Sequence, residues 1–414
     1  MGQLKDLLRA ARFRFRRALF ISLASISLFA AAQGVVSGAM RGLWVDAFGP
    51  GFLNPAEVKK LVSDCRKYNF NAVFVEMRKR GDAFYVPHAP NNEPRSSLVA
   101  SNYDALQAIL DECHNGTPRI EVHCWFVSHF IWSGTNDPPA GNHVFNAHPE
   151  WLTKDSIGQK HLENGWFLDP GNPDANRWVH DVALDIATHY DIDGFHWDYC
   201  RYPAQDSGYN EAALHRFKKE TGSKADPSPS DTLFSEWRRR QVTDFLRSVN
   251  ADLWSLKPSL VISASVFANR KDSTEYRFAD WAAWNREGLI DVCIPMDFSS
   301  DNPSVYIPRA KDALLNQGIR KIYLGQGGYK NSPEATVTQI KAALALGFEG
   351  TVFYDYRHPN AGKLNPEETF ALIKERLQPT WCDTPTLPWK KTTGALNGSV
   401  TSSARPIYNA RVNQ

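Results

Sequence analysis

The chain has 414 residues and a formal net charge of +2 at pH 7, so its charge offers no electrostatic basis for binding nucleic acid. Hydrophobic residues make up 43% and charged residues 22%, as is usual for a soluble globular enzyme. Aromatic residues reach 12%, which suits stacking against the apolar faces of sugars, although core packing would account for many of them equally.

The N-terminal segment has the features of an export signal. Basic residues at Arg12–Arg17 precede the charge-free apolar run Ala18–Ala32, and small residues follow. A membrane span needs about 20 apolar residues, which is more than this run contains. We therefore predict a cleaved signal peptide over residues 1–39 and an exported protein, periplasmic or extracellular. An uncleaved anchor is the alternative, and it would be the expected means of membrane attachment.

Short apolar runs then alternate with amphipathic helical stretches. In chain order, the predicted strands are 42–45, 72–75, 120–127, 193–197, 260–264, 290–294, 321–324 and 350–354. Helices are predicted from 54 onward and at 103–113, 174–189, 233–256, 278–287, 305–317, 333–346 and 366–376. This rhythm predicts an α/β fold, a (β/α)₈ TIM barrel, as the catalytic domain at residues 40–378. A doubly wound sheet is the alternative, but no G-x-G-x-x-G follows the first strand.

Two segments depart from the strand–helix rhythm. The loop after the third strand, about 128–172, is long and rich in Trp, which predicts a functional role. From Pro379 the composition changes to Pro, Thr, Lys and Ser, and we predict a linker with an incomplete β-module over 379–414. Gly394–Thr401 and Pro406–Val412 resemble the opening strands of a carboxypeptidase-regulatory-like β-sandwich.

Active sites on a TIM barrel lie at the C-terminal ends of the strands, so we selected polar residues there. The predicted catalytic carboxylates are Asp198, Glu76 and Asp297, because glycosidic cleavage needs one protonated and one ionised carboxyl group. Each also has a structural interpretation: Asp198 and Glu76 as ion-pair partners of nearby arginines, and Asp297 as a loop cap. Predicted substrate-binding residues are Arg78, His123, His196, Arg201, Trp132, Trp166, Asp355 and Tyr356.

The cysteines and histidines do not form a recognisable metal motif. No pair of cysteines is spaced as C-x-x-C, and the first strand has no H-x-H. We therefore predict no metal and no cofactor, although His196 and Asp198 leave a metal-dependent hydrolase as a weaker alternative. Cys65 and Cys113 fall near the ends of consecutive predicted helices, where a disulfide remains open.

Seven blocks occur in a recognisable order: Arg41–Val45, Val75–Tyr85, His148–Trp151, Leu168–Pro173, Asp193–Pro203, Trp237–Arg239 and Gly288–Met296. Together they resemble the bacterial glycosyl-hydrolase-like family ten, which includes peptidoglycan-digesting enzymes. The resemblance covers roughly residues 40–377. It implies a (β/α)₈ barrel that hydrolyses bacterial cell-wall glycan or a related polysaccharide.

The chain departs from the family pattern at the candidate site. Members usually have Asp-Asp-Tyr where this chain has Asp198-Tyr199-Cys200, and often have Gln at the position of Glu76. Glu76 and Asp297 are therefore the candidates for a second carboxylate. The leading hypothesis is an exported glycosidase acting on a polysaccharide, and the alternative is a carbohydrate-binding barrel without turnover.

Overall fold

The computed structural model describes residues 38–134, 138, 140–362 and 366–390. The predicted signal segment up to residue 37 and the predicted β-module from residue 391 lie outside the described residues. Within the described part, no helix combines the length and the apolar character needed to cross a bilayer.

A closed parallel barrel forms the centre of the molecule and confirms the predicted fold class. The strands of the structure are β1 (Met40–Val45), β2 (Ala72–Arg78), β3 (Glu121–Val127), β4 (Phe130–Trp132), β5 (His161–Leu162), β6 (Gly165–Phe167), β7 (Gly194–Asp198), β8 (Val261–Phe267), β9 (Val292–Asp297), β10 (Lys321–Ile322), β11 (Leu324–Gly327) and β12 (Gly350–Tyr354). β10 and β11 are two parts of one barrel strand. The barrel order is therefore β1, β2, β3, β7, β8, β9, β10/β11 and β12, and β12 pairs with β1 to close the ring.

The helices lie in the segments that follow the barrel strands. They are α1 (Pro55–Tyr68), α2 (Ala105–His114), α3 (Val144–Ala147), α4 (Pro173–His189), α5 (Glu211–Thr221), α6 (Thr232–Leu256), α7 (Trp281–Glu287), α8 (Pro303–Leu315), α9 (Pro333–Leu346) and α10 (Pro366–Leu377). Side-chain caps start them where the sequence indicates: Asn54 and Asn172 each accept backbone N–H bonds and precede a proline. Sequence reasoning missed the short helix α3 and the helix α5.

Alternation along the barrel strands separates two apolar layers. Trp44, Phe74 and Ile294 belong to the cluster inside the barrel. Leu43 and Val75, on the opposite faces of the same strands, pack under the helices. At the C-terminal ends, polar residues take over the inward positions, so the alternation that builds the core also supplies the barrel mouth.

The long segment after β3 contains a small antiparallel sheet that we did not predict. Its strand order is β4-β6-β5. Glu163 has a left-handed backbone, with φ 50°, in the turn that joins β5 to β6. The sheet contributes Phe130 and Glu163 to the wall of the cavity at the barrel mouth.

The segment after α10 packs on the N-terminal end of the barrel, where we had predicted the start of a linker. Leu387 is buried with the interior cluster, and Trp389 Nε1 donates to Asp291 Oδ1 at 2.7 Å. Lys390 Nζ lies 2.6 Å from Asp291 Oδ2. Residues 387–390, beyond the predicted boundary at residue 378, thus pack against the barrel and cover the end of its interior.

The six cysteines carry free thiols. Cys65 and Cys113 are both buried, and no disulfide joins them. Burial raises the pKa of Cys65, and it raises the pKa of Cys113 to about 12. Both side chains are thus protonated and pack as small apolar groups between α1 and α2.

Candidate active site

A cavity of about 700 Å³ opens at the C-terminal end of the barrel. Among the described residues, five carboxyl groups line it, from the ends of four barrel strands and from the β5–β6 turn: Asp46, Glu76, Asp198, Asp355 and Glu163. Its other walls combine aromatic rings with cations, including Trp44, Phe48, Trp125, Phe130, Tyr199, Phe267, Phe298, Tyr329, Tyr354, Lys79, Arg80 and Arg201. The volume is typical of a cleft that binds small molecules or parts of a polymer.

Asp198 is the last residue of β7, and three donors hold its carboxyl group. Trp125 Nε1 donates to Oδ2 at 3.0 Å. Ser265 Oγ donates to Oδ1 at 2.6 Å, and the Tyr199 backbone N–H donates to the same oxygen at 2.8 Å. Burial raises the pKa of Asp198, while these donors and the charge of Arg201 act in the opposite direction. The indole and backbone N–H groups can only donate, so these hydrogen bonds favour the ionised form, while burial is the larger effect and leaves the pKa of Asp198 raised.

Glu76, on β2, has a different electrostatic environment. Its Oε2 accepts a hydrogen bond from the Ala47 backbone N–H at 2.8 Å. Burial is the largest cause that raises its pKa, to about 8, and the charges of Asp46 and Asp198 add to the effect. The Ala47 N–H and the charge of Lys79 oppose it. Glu76 is therefore protonated at neutral pH and can act as a proton donor.

Asp46 and Asp355 form a second carboxyl pair, at the ends of β1 and β12. Arg357 binds Asp46 in a bidentate manner, with Nε 3.1 Å from Oδ1 and Nη2 2.7 Å from Oδ2. Asp355 Oδ1 accepts from the His358 backbone N–H at 2.6 Å. Burial, followed by the charge of Asp46, raises the pKa of Asp355 to about 7. The pair thus holds a proton near neutral pH, which limits the negative charge at this side of the mouth.

An ion-pair cluster fixes the rim beside Asp198. Arg201 Nη1 lies 2.6 Å from Glu163 Oε2, and Arg277 Nη1 lies 2.8 Å from Glu163 Oε1. The guanidinium of Arg201 also lies 4.5 Å from the centroid of the Tyr199 ring. These contacts join the β5–β6 turn to the segments that follow β7 and β8, so three separate loops form one wall.

Residues 39–313 match the sequence model of a protein family, glycosyl hydrolase-like 10. The chain belongs to this family. It is 24% identical over 383 residues to glycosyl hydrolase YngK of Bacillus subtilis, a match that covers 83% of this chain and 71% of that protein. It is also 24% identical over 262 residues to glycosyl hydrolase DigH of Escherichia coli, which covers 56% of this chain and 55% of that protein. The chain is accordingly a glycoside hydrolase of the glycosyl hydrolase-like 10 family.

Solved structures share the barrel. The glycoside hydrolase domain of PgaB (BpsB) from Bordetella bronchiseptica superposes with a TM-score of 0.58 at 13% identity, covering 77% of this chain and 94% of that chain. The catalytic domain of β-amylase from Paenibacillus polymyxa has a TM-score of 0.56 at 12% identity, covering 83% of this chain and 99% of that chain. At these identities the likeness extends to the fold alone.

Arg78 was predicted to bind substrate, but its side chain is buried away from the cavity. Glu76 pairs in register with Trp125 but Arg78 pairs with Phe126, so β2 contains one extra residue at this point. Such a bulge reverses the alternation of side chains and turns Arg78 outward. Arg78 Nε lies 2.6 Å from Glu93 Oε1, and both side chains are 0% exposed.

Replacing Arg78 with Met is expected to lower the free energy of unfolding by about 3–5 kcal/mol, because the Glu93 carboxyl group would remain buried without its partner. Chemical denaturation measures this difference. Arg376→Met is the matched control, since it breaks the solvent-exposed pair with Glu334 and should cost several-fold less. Equal losses for the two variants would contradict the structural role of Arg78.

Asp297, predicted as a partner carboxylate, does not line the cavity. The preceding residue, Met296, faces the mouth, so the alternation along β9 directs Asp297 to the other face. Ser299 Oγ donates to Asp297 Oδ1 at 2.5 Å, and Arg309 Nη1 lies 3.6 Å from the same oxygen. Of the two predicted partner carboxylates, Glu76 is the one that reaches the cavity.

The two histidines predicted at the site lie below the cavity, inside the barrel. His196 Nδ1 is 2.8 Å from Ser263 Oγ, and its Nε2 accepts from Trp44 Nε1 at 3.1 Å. His196 thus supports Trp44, a residue of the cavity lining. His123 Nε2 is 3.2 Å from Glu121 Oε2, toward the opposite end of the barrel.

The remaining predicted substrate-binding residues divide into two groups. Trp132 and Trp166 belong to the small antiparallel sheet, where Trp166 Nε1 donates to the Gly134 carbonyl oxygen at 3.3 Å. The Tyr356 hydroxyl donates to Asp64 Oδ2 at 2.7 Å, on the outer side of the barrel. None of these three side chains lines the described cavity. The other two predicted substrate-binding residues of this set, Arg201 and Asp355, do line it.

A cluster of potential metal ligands lies elsewhere in the described part of the chain. The ligand atoms of His88, Asp185 and His189 are within 4.8 Å of one another. The two imidazole rings stack at 3.8 Å between centroids, on the outer flank of α4. The cluster is separate from the carboxyl groups of the barrel mouth.

Several residues of the cavity were missed by sequence reasoning. Trp125 and Ser265 bind the Asp198 carboxyl group, and both lie two residues beyond inward-facing positions, on β3 and β8. Strand alternation alone would have identified them. Phe48, Lys79 and Arg80 reach the cavity from the segments after β1 and β2, where no periodic signal exists.

Proposed function

We propose that this glycoside hydrolase uses Glu76 as the general acid and Asp198 as the ionised carboxylate, and that it cleaves bacterial cell-wall glycan outside the cytoplasm. One observation carries the catalytic part: two carboxyl groups line one cavity, three hydrogen-bond donors hold Asp198, and burial raises the pKa of Glu76 to about 8. Glycosidic cleavage requires a proton donor for the leaving oxygen and a carboxylate that acts as nucleophile or base.

The surroundings of each carboxyl group support its proposed role. The Asp198 carboxylate is oriented by three donors and would either attack the anomeric carbon or remove a proton from water. Glu76, raised in pKa to about 8, would protonate the departing oxygen. The negative charge of Asp46 helps to keep Glu76 protonated. The anomer of the first product, read by NMR, distinguishes a nucleophilic Asp198 (retention) from a basic one (inversion).

The substrate and the location rest on the sequence. The seven ordered blocks resemble a family that includes peptidoglycan-digesting enzymes, and the segment 1–39 has the basic and apolar regions of a signal peptide. Cell-wall glycan is located outside the cytoplasm, so the two expectations support each other.

Purified protein should release soluble sugars from denuded peptidoglycan glycan strands faster than from a panel of neutral soluble polysaccharides. Chromatography of the products measures the release. Hydrolysis of a neutral polysaccharide alone would contradict the proposed cell-wall substrate but not the proposed catalytic roles of Glu76 and Asp198. Retention of glycan with no release from any substrate would favour the carbohydrate-binding alternative.

Export is tested by fractionating cells that express the full chain and determining the N-terminus of the product by mass spectrometry. We expect the protein in the periplasm or medium, starting near residue 40. Full-length protein in the cytoplasm would contradict the predicted signal.

A further inference from the structure

The cations of the cavity differ in whether a carboxylate neutralises them. Arg201 is paired with Glu163. Lys79 and Arg80 line the same cavity, yet neither forms an ion pair or a side-chain hydrogen bond with any residue in the described ranges. Two adjacent cations therefore point into a cavity with their charges available.

Aromatic rings hold both cations in place. Lys79 Nζ lies 3.3 Å from the centroid of the Phe48 ring, and the Arg80 guanidinium carbon lies 4.8 Å from the same centroid. Arg80 is also 5.1 Å from the centroid of the Phe130 ring. Lys79 is 8% exposed. Cation–π contacts restrain these groups without neutralising their charge, so both remain able to bind an anion.

The backbone that carries the two cations is tightly fixed. The Arg80 backbone N–H donates to Asp82 Oδ1 at 3.1 Å, and the Arg80 carbonyl oxygen lies 2.8 Å from His143 Nε2. Gly81 has φ +73°, and a Cβ atom there would come within 2.9 Å of the His143 ring. The turn is thus built to hold Lys79 and Arg80 in a set geometry, which lowers the entropic cost of binding a ligand.

The carboxyl groups closest to Lys79 do not satisfy its charge. Burial lowers the pKa of Lys79, and the charges of Glu76, Asp82 and Asp46 act in the opposite direction. Glu76 is protonated at neutral pH, and Asp46 is engaged in its bidentate pair with Arg357. Asp82 bonds to the turn backbone. Of these three groups, Asp82 is thus the one left to balance two cations, Lys79 and Arg80.

We propose that Lys79 and Arg80 form an anion-binding subsite that receives the carboxylate of an acidic sugar in the substrate, with the Phe48 ring beside it. The proposal deepens the proposed function, because it names the charged group of the glycan that the enzyme recognises. A guanidinium and an ammonium together match the oxygens of one carboxylate. The subsite adjoins Glu76 on β2, so the acidic sugar would lie next to the bond that is cleaved.

Binding is measured separately from turnover, with the full chain carrying Asp198→Asn. The probes are N-acetylmuramic acid and its carboxamide, in which a neutral amide of similar shape replaces the carboxylate. We expect the acid to bind about tenfold more tightly than the amide, and the preference to weaken as salt increases. The preference should fall to less than about twofold in Arg80→Gln and vanish in Lys79→Gln/Arg80→Gln.

The matched control is Arg177→Gln, which removes an exposed arginine of α4 and should leave the preference unchanged. Equal binding of acid and amide, no binding of the acid, or a preference that survives the double substitution would each overturn the subsite. If the preference is present but no glycan is hydrolysed, the subsite stands and the proposed function fails. If glycan strands and their carboxamide derivative are cleaved equally and the probes bind equally, the proposed function stands and the subsite fails.

Discussion

Asp198→Asn is expected to lower kcat on the best glycan substrate by about 10³-fold or more, which corresponds to about 4 kcal/mol of lost transition-state stabilisation. The reason is that Asn keeps the shape of the side chain but cannot act as nucleophile or base. Trp125 and Tyr199 direct N–H groups at the two oxygens of Asp198, so an amide NH₂ must also face one of these donors. A modest loss of stability, about 1–3 kcal/mol, should accompany the kinetic effect.

The control for this prediction is Asp297→Asn. Asp297 is also a buried aspartate at the end of a barrel strand, but it bonds to Ser299 outside the cavity. The kcat of Asp297→Asn should remain within about threefold of the wild-type value, because this substitution removes no interaction that is made only in the transition state. An Asp297 variant that loses as much kcat as Asp198→Asn, or an Asp198 variant with normal kcat, would contradict the assignment.

Glu76→Gln is expected to lower kcat/KM on glycan by about 10²–10⁴-fold, the usual contribution of a general acid. The amide oxygen of Gln can still accept the Ala47 N–H bond, so the cavity should keep its shape. For aryl glycosides whose leaving groups depart without protonation, Glu76→Gln should lower kcat/KM far less. This difference between substrates reports on proton donation and would be absent if Glu76 were only structural.

The pH dependence provides a second test of Glu76. A general acid works in its protonated form, and the pKa of Glu76 is raised to about 8. Wild-type kcat/KM should therefore fall as the pH rises through about 8, and Glu76→Gln should lose this alkaline limb. An alkaline limb that persists unchanged in Glu76→Gln would assign the titration to another group, such as Asp355.

The fold could be predicted because local and global signals agree along the chain. Asn54-Pro55 and Asn172-Pro173 start helices where caps are expected, and apolar runs of strand length lie between the helices. The small sheet after β3 could not be predicted in this way. Its strands are two or three residues long, and their pairing depends on contacts with the barrel mouth rather than on local periodicity.

The candidate site could be predicted only in part. Asp198 was identified because it ends a strand, and the structure places it in the cavity. Arg78 and Asp297 also lie at strand ends, but a strand end alone does not specify which face a side chain takes. At Arg78 a one-residue bulge reverses the alternation, and at Asp297 the alternation itself points outward. Bulges arise from pairing with the neighbouring strand, which a single sequence does not reveal.

The proposed mechanism requires two carboxyl groups of one cavity to hold opposite protonation states at neutral pH. Infrared difference spectroscopy between wild type and Glu76→Gln, followed as a function of pH, tests it most directly. We predict a protonated-carboxyl band that belongs to Glu76, is present near neutral pH and disappears with a midpoint at about pH 8. A Glu76 carboxyl group that is already ionised at about pH 5–6, as an unperturbed glutamate would be, would rule out Glu76 as the proton donor at neutral pH.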